Sequence, residues 1–437
     1  MSTSRRAFLA GAGAFAGAGA LARSAAAMPT LGTAPVSISF YDYNLAQAGL
    51  GGDATRKLLA EFMAAHPNVH IEPIGATPDQ LNQRVQADVI AGRAPDLAQM
   101  GFGDLDFNVH NLGVKALGDI VPQAEYDAHV AGMVPAALAL AAMDGKTWGL
   151  PYTISTPVLF YNATLFRAAG LDPDHPPANW DEVSQAALAI RAKTKALGFF
   201  AGMYSLPEVD WIFQGLVLSN GGRVLSEDRR TLLFDTPPVI QVAEMLRAMV
   251  VSGAHADIEP PLAAPDKMSN GELGMYLQTS ALQASMLRNL KRGQDLRATT
   301  MPAFGTQPTH PTNSGSGLFI LSNDPLKQRA AWELMKFLTG RHGYTIITSE
   351  IGYLPLRLGI VDDPAYLKPW VDAHPLIRPN LVQLQHLSPW ESFPGPSYRQ
   401  IQRTLMDAVK ESAFGKQAPA AIMHAAQARA ARLMPTA

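Results

Sequence analysis

Between residues 36 and 104 the hydrophobic pattern switches back and forth between a period of two and a period of 3.6, and this alternation restricts the fold more than any other feature of the chain. Val36, Ile38 and Phe40 alternate with polar residues as far as Tyr43, as one-sided strands do. Leu58, Leu59, Phe62 and Met63 then recur at helical spacing, Pro67 stops the helix, and residues 69–74 read as a second strand. A helical stretch over 79–90 leads to Pro95-Asp96-Leu97-Ala98-Gln99-Met100, a short strand running into the loop Gly101-Phe102-Gly103-Asp104. Strand, helix and strand in repetition predict parallel strands covered by helices, an α/β fold.

The same grammar continues downstream. Thr236 followed by Pro237 marks a helix start, with Val239, Val242, Leu246, Met249 and Val250 as its buried face. Leu326, Ala330, Leu334, Phe337 and Leu338 form a second stripe before Gly340, and both stripes read as core. Pro-rich segments at 172–177, 259–265 and 302–311 interrupt the pattern and predict exposed connections or crossings. With 437 residues, 47% hydrophobic and 16% charged, the chain is long enough for two domains with sizeable cores. Lys and Arg number 35 against 37 Asp and Glu, a net charge of -2, so no basic surplus points to a nucleic-acid partner. The absence of cysteine excludes disulfides, thiolate metal sites, cysteine nucleophiles and a lipidated N-terminal cysteine.

The first 27 residues read as an address. Ser4-Arg5-Arg6-Ala7-Phe8-Leu9 opens a twin-arginine pattern, an uncharged Ala/Gly-rich stretch follows to Ala22, and Ala25-Ala26-Ala27 supplies small residues for cleavage. The run is too short and too poor in strongly apolar residues for a membrane span. The expected mature protein is soluble, mildly acidic and exported to the periplasm by the twin-arginine route, which carries folded proteins.

Motifs for bond chemistry fail on spacing. Ser316 stands between glycines, but position 314 is Ser where a nucleophile elbow requires Gly. Gly145-Lys146-Thr147 resembles the end of a phosphate loop, yet Leu140 replaces the glycine required five residues earlier. His66 and His70 are four apart, but Pro67 ends the helix that would put them on one face. No catalytic residue, metal site or cofactor is expected. An exported carbohydrate-active or phosphodiester-cleaving enzyme stays as a remote alternative, resting only on the abundance of carboxylates.

Several segments resemble the family 1 extracellular solute-binding proteins of ABC importers: Asp144-Gly145-Lys146, Gly149-Leu150-Pro151, Leu159-Phe160-Tyr161-Asn162, Ala169-Gly170-Leu171, Trp180-Asp181-Glu182, Ser269-Asn270-Gly271-Glu272, Ser314-Gly315-Ser316-Gly317 and Gly352-Tyr353-Leu354-Pro355. Within that family the chain is most similar to the binding proteins for sn-glycerol-3-phosphate and glycerophosphodiesters. The resemblance implies a two-lobed periplasmic binding protein fold of type II, maltose-binding-protein-like, with a ligand cleft between lobes. One lobe is expected over 36–153 and 302–328, the other over 154–301 and 329–437. It further implies a monomer that captures a small polar solute by lobe closure and delivers it to the permease subunits of an ABC importer.

The resemblance also implies where ligand contacts lie. The glycerol-phosphate binders use a Tyr and a Glu on the glycerol end and an Arg on the phosphate, at positions near Pro78, Phe102 and Pro394 here, so all three chemistries differ. Arg399 stands close enough to replace the missing cation, or is a solvated helix-start arginine, and a neutral sugar or oligosaccharide is therefore a rival ligand. Trp180, Trp211, Tyr353 and Trp390 are the candidate stacking rings; for Trp180 and Trp211 the alternative is a core position, since large aromatics are mostly buried. Ser155, Ser280, Gly315 and Ser316 are candidate small donors that let a ligand come close. Asp42, Tyr43, Phe102 and Asp104 follow predicted strands and are the expected first-lobe contacts.

Overall fold

In the computed structural model, which describes residues 28–46, 50–204 and 209–435, the chain builds two mixed sheets, each covered by helices and each with its own core. The twin-arginine segment lies outside the described residues. Strands β1 (Val36–Asp42), β2 (Val69–Gly75) and β3 (Leu97–Gly101) form where the period-two pattern predicts them, separated by helices Leu50–Ala65 and Pro78–Ile90. A hairpin of β4 (Ala142–Met143) and β5 (Lys146–Thr147) turns through Asp144 and Gly145, both at positive φ, so the glycine and lysine of the incomplete phosphate loop serve a tight turn.

The remaining strands are β6 (Leu150–Ser155), β7 (Pro157–Asn162), β8 (Leu197–Ala201), β9 (Leu273–Thr279), β10 (Leu296–Thr300) and β11 (Ser314–Ile320). The first sheet has the order β2-β1-β3-β11-β6 and the second β10-β7-β9-β8. The prediction of parallel strands holds for β1 with β2 and β3, and for β8 with β9, whereas β11 pairs antiparallel with both β3 and β6. The reason is topological: β11 enters the first sheet from the second lobe rather than through a covering helix, so no right-handed crossover fixes its direction.

The chain crosses between sheets at Thr156, again over 301–313, and finally over 388–397, where Thr312 and Ser388 bridge the last two crossings. Gln383 ties the first two together, donating to Thr156 Oγ1 and the Pro157 carbonyl and accepting from Met301 N–H. The expected division at residue 328 differs from the structure. Helix Pro325–Leu338 packs on β1, and buried side chains from Ala330 to Leu387 belong to the first-sheet core; the chain rejoins the second core only from Phe393. The stripe of that helix reads as core without stating whose, because an apolar face carries no address for the sheet it covers.

Helix ends follow local chemistry. Asn179 Oδ1 accepts from Glu182 N–H while the Glu182 carboxylate accepts from Asn179 Nδ2 and from Ala178 N–H, a reciprocal cap that starts helix Trp180–Lys193. Asp324 caps Pro325–Leu338, its Oδ1 accepting from Leu326 and Lys327 N–H. Among the described residues no helix is long and apolar enough to cross a membrane.

Candidate functional site

A cavity of about 260 Å³ opens between the lobes where β1, β3 and β6 end and β11 begins. This is the edge at which open α/β sheets present their ligand sites, because successive loops diverge there and expose backbone donors. Its floor is a hydrogen-bonded square of side chains from the first sheet. Gln99 accepts from Tyr43 N–H at 3.0 Å and donates to Thr153 Oγ1 at 3.1 Å and Ser316 Oγ at 2.9 Å. Tyr43 Oη completes it, 2.8 Å from Thr153 Oγ1 and 3.0 Å from Ser316 Oγ. Burial pushes the Tyr43 phenol above its ordinary pKa, against the hydrogen bonds of Ser316, Thr153 and Tyr353, so the ring presents a neutral hydroxyl.

Gly315 makes the floor passable. It sits at φ +130°, and a Cβ there would lie 1.8 Å from the Thr153 carbonyl oxygen, so no other residue fits without moving β6. The adjoining register shift between Ser316 and Gly317 re-aims the strand end toward the cleft. Ser155 closes the floor at the crossing, accepting a 2.6 Å hydrogen bond from Thr279 Oγ1 across the two sheets.

The walls come from three further segments. A π turn over Ile347–Ile351 ends at Gly352, φ +102°, which swings Tyr353 into the cavity while Leu354 N–H anchors the loop on the Ile154 carbonyl. Trp390, on the last crossing, lies over Gly103, where a Cβ would meet its ring at 2.5 Å. Its indole N–H donates to Asp210 Oδ1 at 3.0 Å, and Gln402, another wall residue, donates to the same oxygen at 3.3 Å. Asp210 is fully buried and thus sets two wall side chains without touching the cavity. Asp104 and Arg399 are the two charged residues among the described lining, and they pair across the lobes at 3.0 Å. Arg399 also donates to Tyr398 Oη at 3.0 Å, and burial first, then Asp104, raises the Tyr398 pKa.

Of the residues expected from sequence, Tyr43, Asp104, Ser155, Gly315, Tyr353, Trp390 and Arg399 line this cavity. Ser316 stands just behind it in the floor network. The others lie elsewhere. Asp42 points away from the cleft: its Oδ1 accepts from Asn44 and Leu45 N–H, closing the loop after β1, and the side chain is fully buried. Phe102 is a core residue of the first lobe, 1% exposed. Trp180 and Trp211 take their core alternative in the second lobe, Trp180 between Phe199 and Phe304. Both start helices whose apolar faces turn onto the sheet, and a ring at such a position is pulled inward with its neighbours. Ser280 lines a separate cavity beside this one. Pro78, at the place where the resemblance puts a contact of the glycerol-phosphate binders, also lines the site, and Asn82, Gln99, Thr279 and Gln402 do so without having been anticipated; Gln99 had a signal, a polar residue inside an otherwise apolar strand. Among the described residues, no three His, Asp or Glu side chains cluster to hold a metal.

The sequence model described as bacterial extracellular solute-binding protein matches residues 57–378. A binding protein of Brucella abortus is 26% identical over 382 residues, covering 84% of this chain and 87% of its own. The sn-glycerol-3-phosphate-binding periplasmic protein of Escherichia coli is 24% identical over 323 residues, covering 71% and 73%. Among solved structures, the cyclic α-maltosyl-1,6-maltose binding protein of Arthrobacter globiformis superposes with a TM-score of 0.78 at 20% identity, covering 91% of this chain and 98% of that one. UgpB of Mycobacterium tuberculosis, in complex with glycerophosphocholine, gives 0.78 at 22%, covering 90% and 97%.

Proposed function

The chain belongs to the bacterial extracellular solute-binding proteins, the ligand-capturing components of ABC importers, and from that premise we propose that it binds a neutral, hydroxyl-rich solute of the sugar or polyol kind by closure of its two lobes. The observation that carries this reading is the Asp104–Arg399 pair in the cavity wall. A carboxylate accepting and a guanidinium donating side by side match the two faces of a hydroxyl group, and their charges cancel, so the lining offers no net attraction to an anion. The rings of Tyr353 and Trp390 supply apolar faces for the C–H side of such a solute, and the Tyr43 and Ser155 side chains supply hydroxyl partners.

The likeness to glycerol-phosphate and glycerophosphodiester binders puts a phosphate-bearing ligand first, with Arg399 as its cation. What supports the reverse order is that Asp104 already occupies the guanidinium, so a phosphate has to displace it while leaving a carboxylate facing an anion. Calorimetric titration of neutral mono- and disaccharides, glycerol, glycerophosphocholine and sn-glycerol-3-phosphate separates the two. Tightest binding of glycerol-3-phosphate, abolished by Arg399→Ala, refutes the neutral-solute reading.

In this reading the solute is released unchanged to the permease, the protein acts as a monomer, and residues 1–27 direct export by the twin-arginine route. Replacing Arg5 and Arg6 by Lys retains the precursor in the cytoplasm; undiminished periplasmic protein would refute that route.

A further inference from the structure

Arg399 is held at more than one point, and one of its partners stands outside the cavity. Its Nη2 donates to the two Asp104 carboxylate oxygens at 3.0 and 3.3 Å, while its Nε donates to Tyr398 Oη at 3.0 Å. Tyr398 is 3% exposed and does not line the cavity. Its ring packs in the second-lobe core and against Phe107 of the helix Leu105–Asn111, with centroids 5.5 Å apart. From the first-lobe helix Pro78–Ile90, Asn82 Nδ2 donates to the same phenol oxygen at 3.5 Å, and Gln86 Nε2 donates to Asn82 Oδ1 at 3.4 Å. Burial first, and then Asp104, raise the pKa of the phenol, so it meets both N–H groups as a neutral acceptor.

The Nε bond does what the Asp104 contact by itself does not. A guanidinium tied through Nη2 still turns about that contact, and a long arginine side chain that is 31% exposed retains much of its rotamer freedom. A second bond through Nε fixes the plane of the fork, and with it the directions in which the remaining N–H groups point. That ordering is in place before a solute arrives, so binding does not have to supply it. The hold comes from a rigid element as well: Tyr398 opens helix Tyr398–Phe414, whose apolar face is packed in the second core.

Resting on the reading that the Asp104–Arg399 pair meets a solute hydroxyl, we infer that Tyr398 is a positioning residue for solute recognition. Its phenol oxygen, accepting from Arg399 Nε, keeps the guanidinium in register with Asp104, and it acts on the solute only through that arginine.

The test is Tyr398→Phe, which keeps the ring against Phe107 and removes the oxygen, made in the mature protein and again in an Arg399→Lys background, which has no Nε–H to hold. NMR of the arginine Nε–H groups without solute, the Arg399 signal being identified by its loss in Arg399→Lys, should show exchange with water about 10-fold faster in Tyr398→Phe. Calorimetry with glucose, maltose, glycerol, glycerophosphocholine and sn-glycerol-3-phosphate should show the tightest-bound probe weakened by about 10-fold in Tyr398→Phe. In the Arg399→Lys background the same substitution should change affinity by less than about 2-fold, because a residue acting through another is not additive with it. Unchanged Nε–H exchange overturns the inference, and so does an equal loss of affinity in both backgrounds, the mark of a purely structural contribution. The neutral-solute reading fails separately, if sn-glycerol-3-phosphate is the parent's tightest probe; the comparison of backgrounds then still decides the role of Tyr398.

Discussion

Asp104 and Asp106 stand two residues apart on the first lobe, and each meets an arginine of the second, yet the two pairs do opposite work. Asp106 is 5% exposed; Arg229 donates to its Oδ2 at 2.9 Å, Gly395 N–H to its Oδ1 at 3.2 Å, and its own N–H bonds Ser392 Oγ. Arg229 also reaches the Ser392 carbonyl, so the carboxylate fastens the last crossing to the first lobe. Asp104 instead meets Arg399 in the wall of the interlobe cavity, where the side chains are 15% and 31% exposed, against 7% and 24% for Asp106 and Arg229. The lesson is that what a carboxylate holds besides its arginine, here the Gly395 N–H of the last crossing, separates a clamp between lobes from an ion pair in a cavity wall.

Three substitutions test that contrast. Asp106→Ala removes the hydrogen bonds from Arg229 and from Gly395 N–H, leaves Arg229 its longer contact with Glu391 at 3.6 Å, and should cost about 2 kcal/mol of stability in denaturant unfolding; a loss under about 1 kcal/mol would erase the distinction between the pairs. Asp104→Ala should weaken solute binding by about 10-fold or more, measured calorimetrically, with a stability change below about 1 kcal/mol. Tyr353→Ala removes a cavity ring without touching either pair and should weaken binding by roughly 10-fold; unchanged affinity takes Tyr353 out of the site.

A different kind of effect, read as a pH dependence, concerns Asp42, on the core side of the same strand ends. Burial lifts its pKa to about 7, partly offset by the Leu45 and Asn44 N–H bonds, from an ordinary value of 3.8. The folded protein therefore holds a proton that the unfolded chain releases. The contribution is fully present below pH 3.8 and is lost as pH rises through about 7. Asp42→Asn should flatten the fall in stability over that window and make the variant the more stable of the two at about pH 8. An unchanged slope in pH-dependent melting would show that Asp42 ionises freely in the fold.

How much of this was legible beforehand varied with the range of the interaction concerned. Strand and helix positions from Val36 to Gly101 followed from periodicity, because side-chain alternation is a local property of the backbone. Tyr353 and Gly315 were recognisable from the segments around them, and the structure adds why they act: one positive-φ glycine turns the ring inward, the other leaves room beside Thr153. Trp180 and Trp211 were ambiguous, since an aromatic at a helix start serves a cleft or a core equally well until the sheet beneath is in place. Asp210 carried no local signal at all; its importance lies in Trp390 and Gln402, some 180 and 192 residues away.

By itself, then, the amino-acid order determined the α/β alternation, the family likeness, the expectation of export and the absence of thiol chemistry, all of which depend on neighbours in the chain. Tertiary structure alone decided that residues 330–387 serve the first lobe, that Arg399 is already held by Asp104, and that a second cavity lies behind Tyr353. Those outcomes depend on which distant surfaces meet, and hydrophobic burial, being non-directional, does not encode its partner in any single segment.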